Sequence, residues 1–349
     1  MTATVPPVDL GLSDEQRQLV ASFGSLLAKQ SPTERVRAAE PLGFDESLWR
    51  SLVEVGTVAM AVPEGEGGWG ATMVDLALVA EQVGRALASA PVVEAQAAAR
   101  LLAAARGAAA VAALGAVVDG RQLVTLAVRP AVGGRAALVP GAAVADACIV
   151  LSDDRLLLVP LHDGVRRRVD NLGSSPLADV ALTGDAVELA EGAAATHLFE
   201  TAVDEWLALT AAALAGIGSV AHDMTCAYAR ERQAWGVPIG TFQAVAHPLA
   251  DSATALDGAR LLALKAAWAG DGGHPRAREL AAMAFAFGAE TARTATYQGV
   301  HFHGGYGFML ETDVQLHFRR ARAWARVWGD PAAAYRRAAQ DRYAGAQAG

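Results

Sequence analysis

The strongest constraint on the fold is a pair of helical patterns joined by one short turn in the second half of this 349-residue chain. Apolar residues recur every three or four positions over 214–228 and again over 242–256, which is the spacing of one helix face. Gly236, Pro238 and Gly240 lie between the two patterns. Glycine tolerates positive φ and proline fixes φ, so these residues predict a tight turn. The sequence therefore predicts a helix–turn–helix corner.

This corner carries a side chain that is suited to binding phosphate. Arg232 closes the first helical pattern, and Trp235 and Gln243 follow within a few residues. A guanidinium group offers a fixed fork of donors that matches a phosphate. On spacing alone, a solvated arginine beside a core tryptophan is an equally good interpretation.

The composition excludes several classes of function. Hydrophobic residues make up 53% of the chain and aromatic residues 6%, which favours helices, and the net charge of −8 argues against a nucleic-acid surface. Cys148 and Cys226 provide neither a disulfide framework nor metal-ligand spacing, as expected in a reducing cytosol. Arg100 and Arg106 interrupt the alanine-rich run at 97–118, so we predict no membrane span there. The first residues lack the order of a signal peptide, and we expect a cytoplasmic protein.

Three domains are predicted from the change in pattern along the chain. Residues 1–118 read as helices, with N-caps at Ser13 and Asp45. Residues 119–197 contain short apolar runs separated by Gly, Pro, Asp and Asn, which is typical of the strands and turns of a small barrel or sandwich. Residues 198–349 return to helical patterns.

A second glycine-rich segment, HFHGGYGF at 301–308, follows a helical pattern near the C-terminus. His301 and His303 are two residues apart without a supporting carboxylate cluster, so we predict no metal site. Gly304 and Gly305 allow backbone N–H groups to approach a phosphate closely. A tight turn between helices would explain the same residues.

Taken together, three segments resemble the acyl-CoA dehydrogenase family. Segment 48–85 is similar to its L-W-x-x-L-x-E-x-G, V-P-E-x-x-G-G-x-G and D-x-x-x-V-x-E-x-x-G-R motifs, and segment 301–322 to its Q-x-x-G-G-x-G loop and R-D-A-R segment. The corner matches R-x-x-[FW]-G-x-x-[IL]-x-x-[FH]-Q at Arg232, Trp235, Gly236, Ile239, Phe242 and Gln243.

The resemblance implies a mostly α fold with a small β domain: an N-terminal helical domain (1–118), a middle β-barrel (119–197) and a C-terminal four-helix bundle (198–349). The family's T-E-P-x-x-G-S-D loop and K-x-W-[IV] strand are not recognisable here, so the middle domain is expected to be shortened. Arg320 replaces the aspartate of R-D-A-R.

The resemblance also implies a cofactor and partners. FAD would lie at a subunit boundary, contacted by residues of both glycine-bearing segments: Arg232, Trp235, Gln243, His301, Gly304 and Gly305. His301 stands where the family has glutamine. Acyl-CoA would be the substrate and electron-transfer flavoprotein or a similar protein the electron acceptor. We expect a homodimer, or a heterotetramer with a catalytic subunit.

The catalytic base of the family is missing from both of its usual positions. Members remove the acidic α-proton of an acyl-CoA thioester with a carboxylate, and the two corresponding positions are Trp206 and Trp328. A neighbouring carboxylate, Glu205 or Asp330, could replace it, although adjacent helix residues point about 100° apart. The catalytic residue is therefore unassigned, with Glu205 as a weak candidate.

Three functions remain open on this reading. The first is a subunit without the base in a heteromeric FAD-dependent enzyme that desaturates acyl-CoA at α,β, acting on a bulky chain such as a steroid side chain. The second is a self-sufficient dehydrogenase that uses Glu205. The third is a non-redox acyl-thioester enzyme or a flavin-free scaffold on the same fold.

Overall fold

In a computed structural model, residues 10–40 and 42–343 are described, and they form a mostly helical fold with a small β region between two groups of helices. This confirms the predicted fold class, while the barrel and bundle layouts and the domain limits stay predictions. Within the described residues, six α-helices precede the β region: α1 (Asp14–Gln30), α2 (Thr33–Ala39), α3 (Glu46–Glu54), α4 (Met73–Arg85), α5 (Val92–Ala105) and α6 (Ala108–Val118).

Local signals set the ends of these helices as predicted. The Ser13 hydroxyl accepts a hydrogen bond from the Gln16 N–H, and the Gln16 side chain reciprocates, which forms a capping box. The Asp45 carboxylate accepts from the Leu48 N–H at 3.0 Å. The alanine-rich run at 97–118 is split between α5 and α6 by Arg106, whose φ is +54°.

The β region consists of seven strands: β1 (Val124–Leu126), β2 (Arg135–Val139), β3 (Ala147–Ser152), β4 (Arg155–Pro160), β5 (Arg166–Arg168), β6 (Ala178–Ala181) and β7 (Val187–Glu191). They form two sheets, one with four strands in the order β1–β3–β4–β7 and the other with three in the order β2–β6–β5. The arginine run at 166–168 forms the edge strand β5, because charged side chains are tolerated where one strand edge faces water.

Five helices and a short hairpin follow the sheets. The first of these helices is long and apolar enough to cross a membrane, but 72% of its apolar window is buried inside the fold, as in a core helix. It packs against the helices of both ends of the chain. The elements are α7 (Gly192–Glu231), β8 (Gln233–Ala234), β9 (Val237–Pro238), α8 (Gln243–Asp271), α9 (Ala277–Phe302), α10 (Val314–Arg326) and α11 (Ala332–Tyr343).

Glycines allow α4 and α7 to approach at the level of their backbones. A Cβ atom on Gly84 would lie 1.9 Å from the Ala213 carbonyl oxygen, and one on Gly216 would lie 2.2 Å from the Glu81 carbonyl oxygen. No side chain fits at these two positions, so the contact requires glycine. This packing joins the N-terminal helices to the C-terminal ones and forms one wall of the interior cavity described below.

Candidate functional site

The predicted corner is a helix, a tight hairpin and a second helix. Trp235 and Gly236 have φ values of +51° and +79°, and they are the two central residues between β8 and β9, as in a type I′ turn. The Ile239 N–H donates to the Arg232 carbonyl at 2.8 Å, which closes the hairpin onto the end of α7. The predicted helix–turn–helix is therefore confirmed, and the turn chemistry explains the glycine.

The second glycine segment turns the chain between α9 and α10. Gly304 has a φ of +62°, and the space around a Cβ atom on Gly304 or Gly305 is open to 4 Å. At Gly307 a Cβ atom would lie 2.4 Å from the Val300 carbonyl oxygen, so glycine is needed for packing there. The first two glycines thus expose backbone, and the third holds the turn against α9.

These two segments meet in one open groove of about 590 Å³, which we call the corner groove. The ring of His303 stacks on Tyr228 with centroids 4.1 Å apart, and its Nδ1 donates to the Gly299 carbonyl at 2.7 Å. The Arg232 side chain is exposed and forms no hydrogen bond or ion pair with the described residues. The groove is lined by Tyr228, Arg232, Ile239, Phe302, His303, Gly304, Gly305 and Tyr306.

The donor set of the corner groove fits a phosphate-bearing group. A free guanidinium lies beside open glycine backbone, and both bind phosphate oxygens without displacing an existing partner. Both aromatic rings of the stacked pair also border the groove. The residues present could therefore hold part of a dinucleotide cofactor.

Three of the six predicted cofactor residues line the corner groove, and three lie outside its lining. Trp235 is 91% exposed and meets Phe242 edge-on. Gln243 is the exposed first residue of α8, and His301 is exposed and stacks on Tyr297 at 6.0 Å. The histidine that lines the corner groove is His303, two residues after His301. The roles of all six residues in cofactor binding stay predictions.

The two tryptophans at the expected base positions converge in the interior. Trp206 is 1% exposed, and its ring lies 5.9 Å from that of Phe285, centroid to centroid. The ring of Trp328 meets that of Phe285 edge-on, with centroids 5.7 Å apart. The space around both positions is thus occupied by three aromatic rings.

Glu205 and Asp330, the two carboxylates next to the tryptophans in the sequence, do not point toward the three aromatic rings. Glu205 forms an ion pair of 2.9 Å with Arg100, and it is not among the residues that line the cavity beside Trp206. Burial raises the pKa of the Glu205 carboxyl, and the Arg100 charge opposes that shift. Asp330 is exposed and accepts from the Ala332 N–H at 3.2 Å. Glu205 and Asp330 thus both have partners that stabilise the fold, and a catalytic role for Glu205 stays a prediction.

A cavity of about 50 Å³ lies beside Trp206, and we call it the interior cavity. It is lined by two charged residues that were not predicted as site residues, Glu94 and Arg320. The Trp206 indole N–H donates to the Glu94 carboxylate at 3.2 Å, and burial raises the pKa of Glu94. Burial lowers the pKa of Arg320 to about 10. In the sequence, Arg320 was noted only as a departure from R-D-A-R, and Glu94 was not noted.

Comparison with known proteins matches both helical parts of the chain. Residues 13–112 match the acyl-CoA dehydrogenase N-terminal domain, and residues 198–331 match the C-terminal domain. Acyl-CoA dehydrogenase IpdE2 of Mycolicibacterium smegmatis is 31% identical over 335 residues, covering 93% of this chain and 98% of that protein.

Solved structures share the fold over almost the full length. The Tcur3481–Tcur3483 steroid ACAD G363A variant has a TM-score of 0.86 at 25% identity, covering 96% of this chain and 99% of that one. The ChsE4–ChsE5 complex of Mycobacterium tuberculosis has a TM-score of 0.84 at 25% identity, covering 96% and 98%. An FAD complex of PigA shares the fold alone, with a TM-score of 0.84 at 18% identity, covering 97% and 100%.

Proposed function

This chain belongs to the acyl-CoA dehydrogenase family, and we propose that it is the subunit without a catalytic base in a heteromeric, FAD-dependent acyl-CoA dehydrogenase. In this role it completes the flavin site of a catalytic partner rather than removing the substrate proton itself. FAD, when bound, supplies the hydride acceptor for desaturation of an acyl-CoA at α,β. The work of this chain is to hold the cofactor and to contribute one side of the assembly.

The observation that carries the proposal is that indoles occupy both usual base positions and pack on one buried ring. Trp206 and Trp328 pack on Phe285, so neither position offers a proton acceptor. An indole N–H is a donor only. The nearest carboxylate along the chain, Glu205, is paired with Arg100.

The geometry of the corner groove supports the proposal that this chain helps to hold FAD. The Arg232 guanidinium and the open backbone at Gly304 and Gly305 remain available to the phosphates. Apolar side chains of the same region, including Trp235, Phe308 and Leu310, are exposed in the single chain. If they form one contiguous patch, such residues are typical of a surface that another protein covers.

The matched proteins support the heteromeric reading and its substrate class. Two of the matched structures, Tcur3481–Tcur3483 and ChsE4–ChsE5, are named as two-component assemblies, and the first is named a steroid ACAD. We therefore propose a bulky, steroid-derived acyl-CoA as substrate and a second acyl-CoA dehydrogenase chain as partner. A cytoplasmic location and electron transfer to an electron-transfer flavoprotein remain part of the proposal.

The test compares flavin content and reduction with and without a partner. The chain is purified alone and after co-expression with a candidate catalytic subunit encoded nearby, and flavin absorbance is recorded before and after anaerobic addition of acyl-CoA. We expect little flavin in the chain alone, and stoichiometric flavin that bleaches in the complex. Stoichiometric flavin in the pure chain that bleaches with acyl-CoA contradicts the proposal.

A matched pair of variants separates the corner groove from general charge effects. Arg232→Ala in the complex is expected to raise the flavin dissociation constant about tenfold or more and so to lower flavin occupancy at limiting FAD, because one charge-assisted contact to phosphate is lost. Arg336→Ala removes an exposed arginine of α11, far along the chain from the groove, and should leave occupancy unchanged. Equal flavin retention by both variants would remove Arg232 from the cofactor site.

A second candidate function rests on Glu94. It is a carboxylate that lines the interior cavity next to the former base position, with its pKa raised by burial. A self-sufficient dehydrogenase could use it as the proton acceptor. In that case acyl-CoA should bleach the flavin absorbance of the chain purified alone. Glu94→Gln should abolish this bleaching, and Glu205→Gln should leave it unchanged. A flavin-free spectrum with every candidate partner would instead favour the non-redox or scaffold alternative.

A further inference from the structure

Arg320 is a buried cation that lacks a counter-ion among the described residues. It is 2% exposed, yet none of the described carboxylates forms an ion pair with it. One Nη donates to the Leu87 carbonyl and the other to the Ser89 hydroxyl at 3.0 Å, while Nε has no hydrogen-bond partner in the part of the chain that the structure describes. An isolated buried charge is costly, so an arginine in this state calls for an anionic partner.

The guanidinium reaches the wall of the interior cavity. The charges that act on Arg320 are those of Glu40 and Arg319, and Glu40 is itself paired to Arg319. Glu94 lines the same cavity but accepts from the Trp206 indole. The remaining walls are largely apolar and include Val83, Ala88, Val93, Ala213, Trp324 and Val327.

We propose that Arg320 makes the interior cavity a binding site for the carboxylate of a short organic acid, either free or at the far end of an acyl group. The free Nε–H and a neighbouring Nη–H form the fork that binds a carboxylate through two hydrogen bonds. A volume of about 50 Å³ admits a carboxylate and one or two carbons. The site needs neither a flavin nor a catalytic base, so it stands apart from the function proposed above.

The size and walls of the cavity favour a carboxylate over a phosphate. A phosphate has four oxygens that need donors, whereas most of the cavity wall offers only C–H contacts. A carboxylate places its two oxygens on the guanidinium and turns its carbon chain toward the apolar wall. The same argument disfavours a fully apolar ligand, which would leave the charge of Arg320 uncompensated.

A purely structural role for Arg320 is the competing explanation. Its two existing hydrogen bonds hold the link between α4 and α5, where Leu87 has a φ of +46°. That role predicts a loss of stability in variants but no discrimination between charged and neutral ligands. Ligand binding therefore has to be measured directly.

The experiment titrates the full-length protein with propionate and with its neutral analogue propionamide, at constant ionic strength, by ligand-observed NMR. We expect saturable binding of propionate in the millimolar range, which is reasonable for five non-hydrogen atoms, and at least tenfold weaker binding of propionamide. Arg320→Met should raise the propionate dissociation constant about tenfold or more. Arg322→Met, an exposed arginine over Phe318 on the same helix, is the matched control.

A second arm distinguishes a free acid from an acyl group. Succinyl-CoA and butyryl-CoA have acyl chains of the same length, but only the former ends in a carboxylate. A preference for succinyl-CoA that Arg320→Met removes assigns the carboxylate to the acyl group, whereas binding of propionate alone assigns it to a free acid. If Arg320→Met fails to fold, Arg320→Lys against Arg322→Lys replaces that pair, because lysine keeps the charge and loses the fork.

The proposal is overturned if the wild-type protein shows neither saturable propionate binding nor a preference for succinyl-CoA. It is also overturned if the Arg320 variants bind both probes as tightly as the Arg322 controls. Both results are independent of flavin content and of partner binding, so they do not depend on the success of the proposed function.

Discussion

Arg100 and Glu205 provide the sharpest test of how this chain uses its buried carboxylates. The Arg100 Nε lies 2.9 Å from Glu205 Oε1, and the two side chains are 23% and 14% exposed. Breaking a buried ion pair from one side costs about 3–5 kcal/mol, because the remaining charge stays buried. Since this pair retains some solvent contact, we expect Arg100→Met to lower the free energy of unfolding by about 2–4 kcal/mol.

The double variant Arg100→Met/Glu205→Met should recover most of that loss. Replacing both partners removes the uncompensated charge, and such replacements are near neutral in comparable cases. We therefore expect the double variant to lie within about 1 kcal/mol of the wild type, with a clear coupling energy in the cycle. The free energies of unfolding are measured by urea denaturation at one fixed protein concentration, because the protein is expected to be oligomeric.

The pH dependence gives an independent check. Burial raises the pKa of Glu205, and removing Arg100 takes away the charge that opposes this shift. A carboxyl with a higher pKa in the folded state than in the unfolded state binds protons more tightly when folded. The deficit of Arg100→Met should therefore shrink as the pH falls from about 7 toward the pKa of an unfolded Glu, about 4.3.

An exposed ion pair provides the control. Arg50 and Glu46 pair on the surface of α3 with side chains 68% and 69% exposed, so Arg50→Met should cost less than about 1 kcal/mol. The reasoning fails if Arg100→Met costs no more than this control. It also fails if the effects of Arg100→Met and Glu205→Met simply add, because Glu205 would then be free for another role.

Three further predictions concern stability. Phe285→Ala should lower the free energy of unfolding by about 3–5 kcal/mol, because removing a fully buried ring that contacts the indoles of Trp206 and Trp328 leaves a cavity. A loss below about 1 kcal/mol in urea denaturation would mean that the neighbouring indoles collapse into that cavity. Gly84→Ala should destabilise strongly through its 1.9 Å clash with the Ala213 oxygen, whereas Gly115→Ala in the open part of α6 should be neutral or stabilise by about 0.5–1 kcal/mol, as thermal unfolding would record. Burial lowers the pKa of His317 to about 4, so the imidazole binds a proton more readily in the unfolded chain than in the folded one. The free energy of unfolding should therefore fall as the pH drops from about 6.5 to 4. His317→Gln should flatten this part of the stability–pH profile, and an unchanged slope would refute the assignment.

The sequence by itself determined the features that depend on near neighbours along the chain. The capping residues Ser13 and Asp45 satisfy backbone donors within three residues, so their motifs are readable locally. The turn at Trp235 and Gly236 follows from the same kind of local geometry. The fold class followed because helical periodicity over long segments is the strongest signal in a sequence.

The tertiary structure decided which distant residues share a site. Nothing in the local pattern separates His301 from His303, and only the rotation of the end of α9 places the latter in the corner groove. The arginine-rich strand β5 is a strand because it pairs with β6, and its composition alone does not indicate a strand. Glu94 and Arg320 lie 226 positions apart in the chain, and they border one cavity only because α5, α7 and α10 pack around it. Burial then changes the chemistry of both side chains, since desolvation depends on all packed neighbours rather than on the residues before and after.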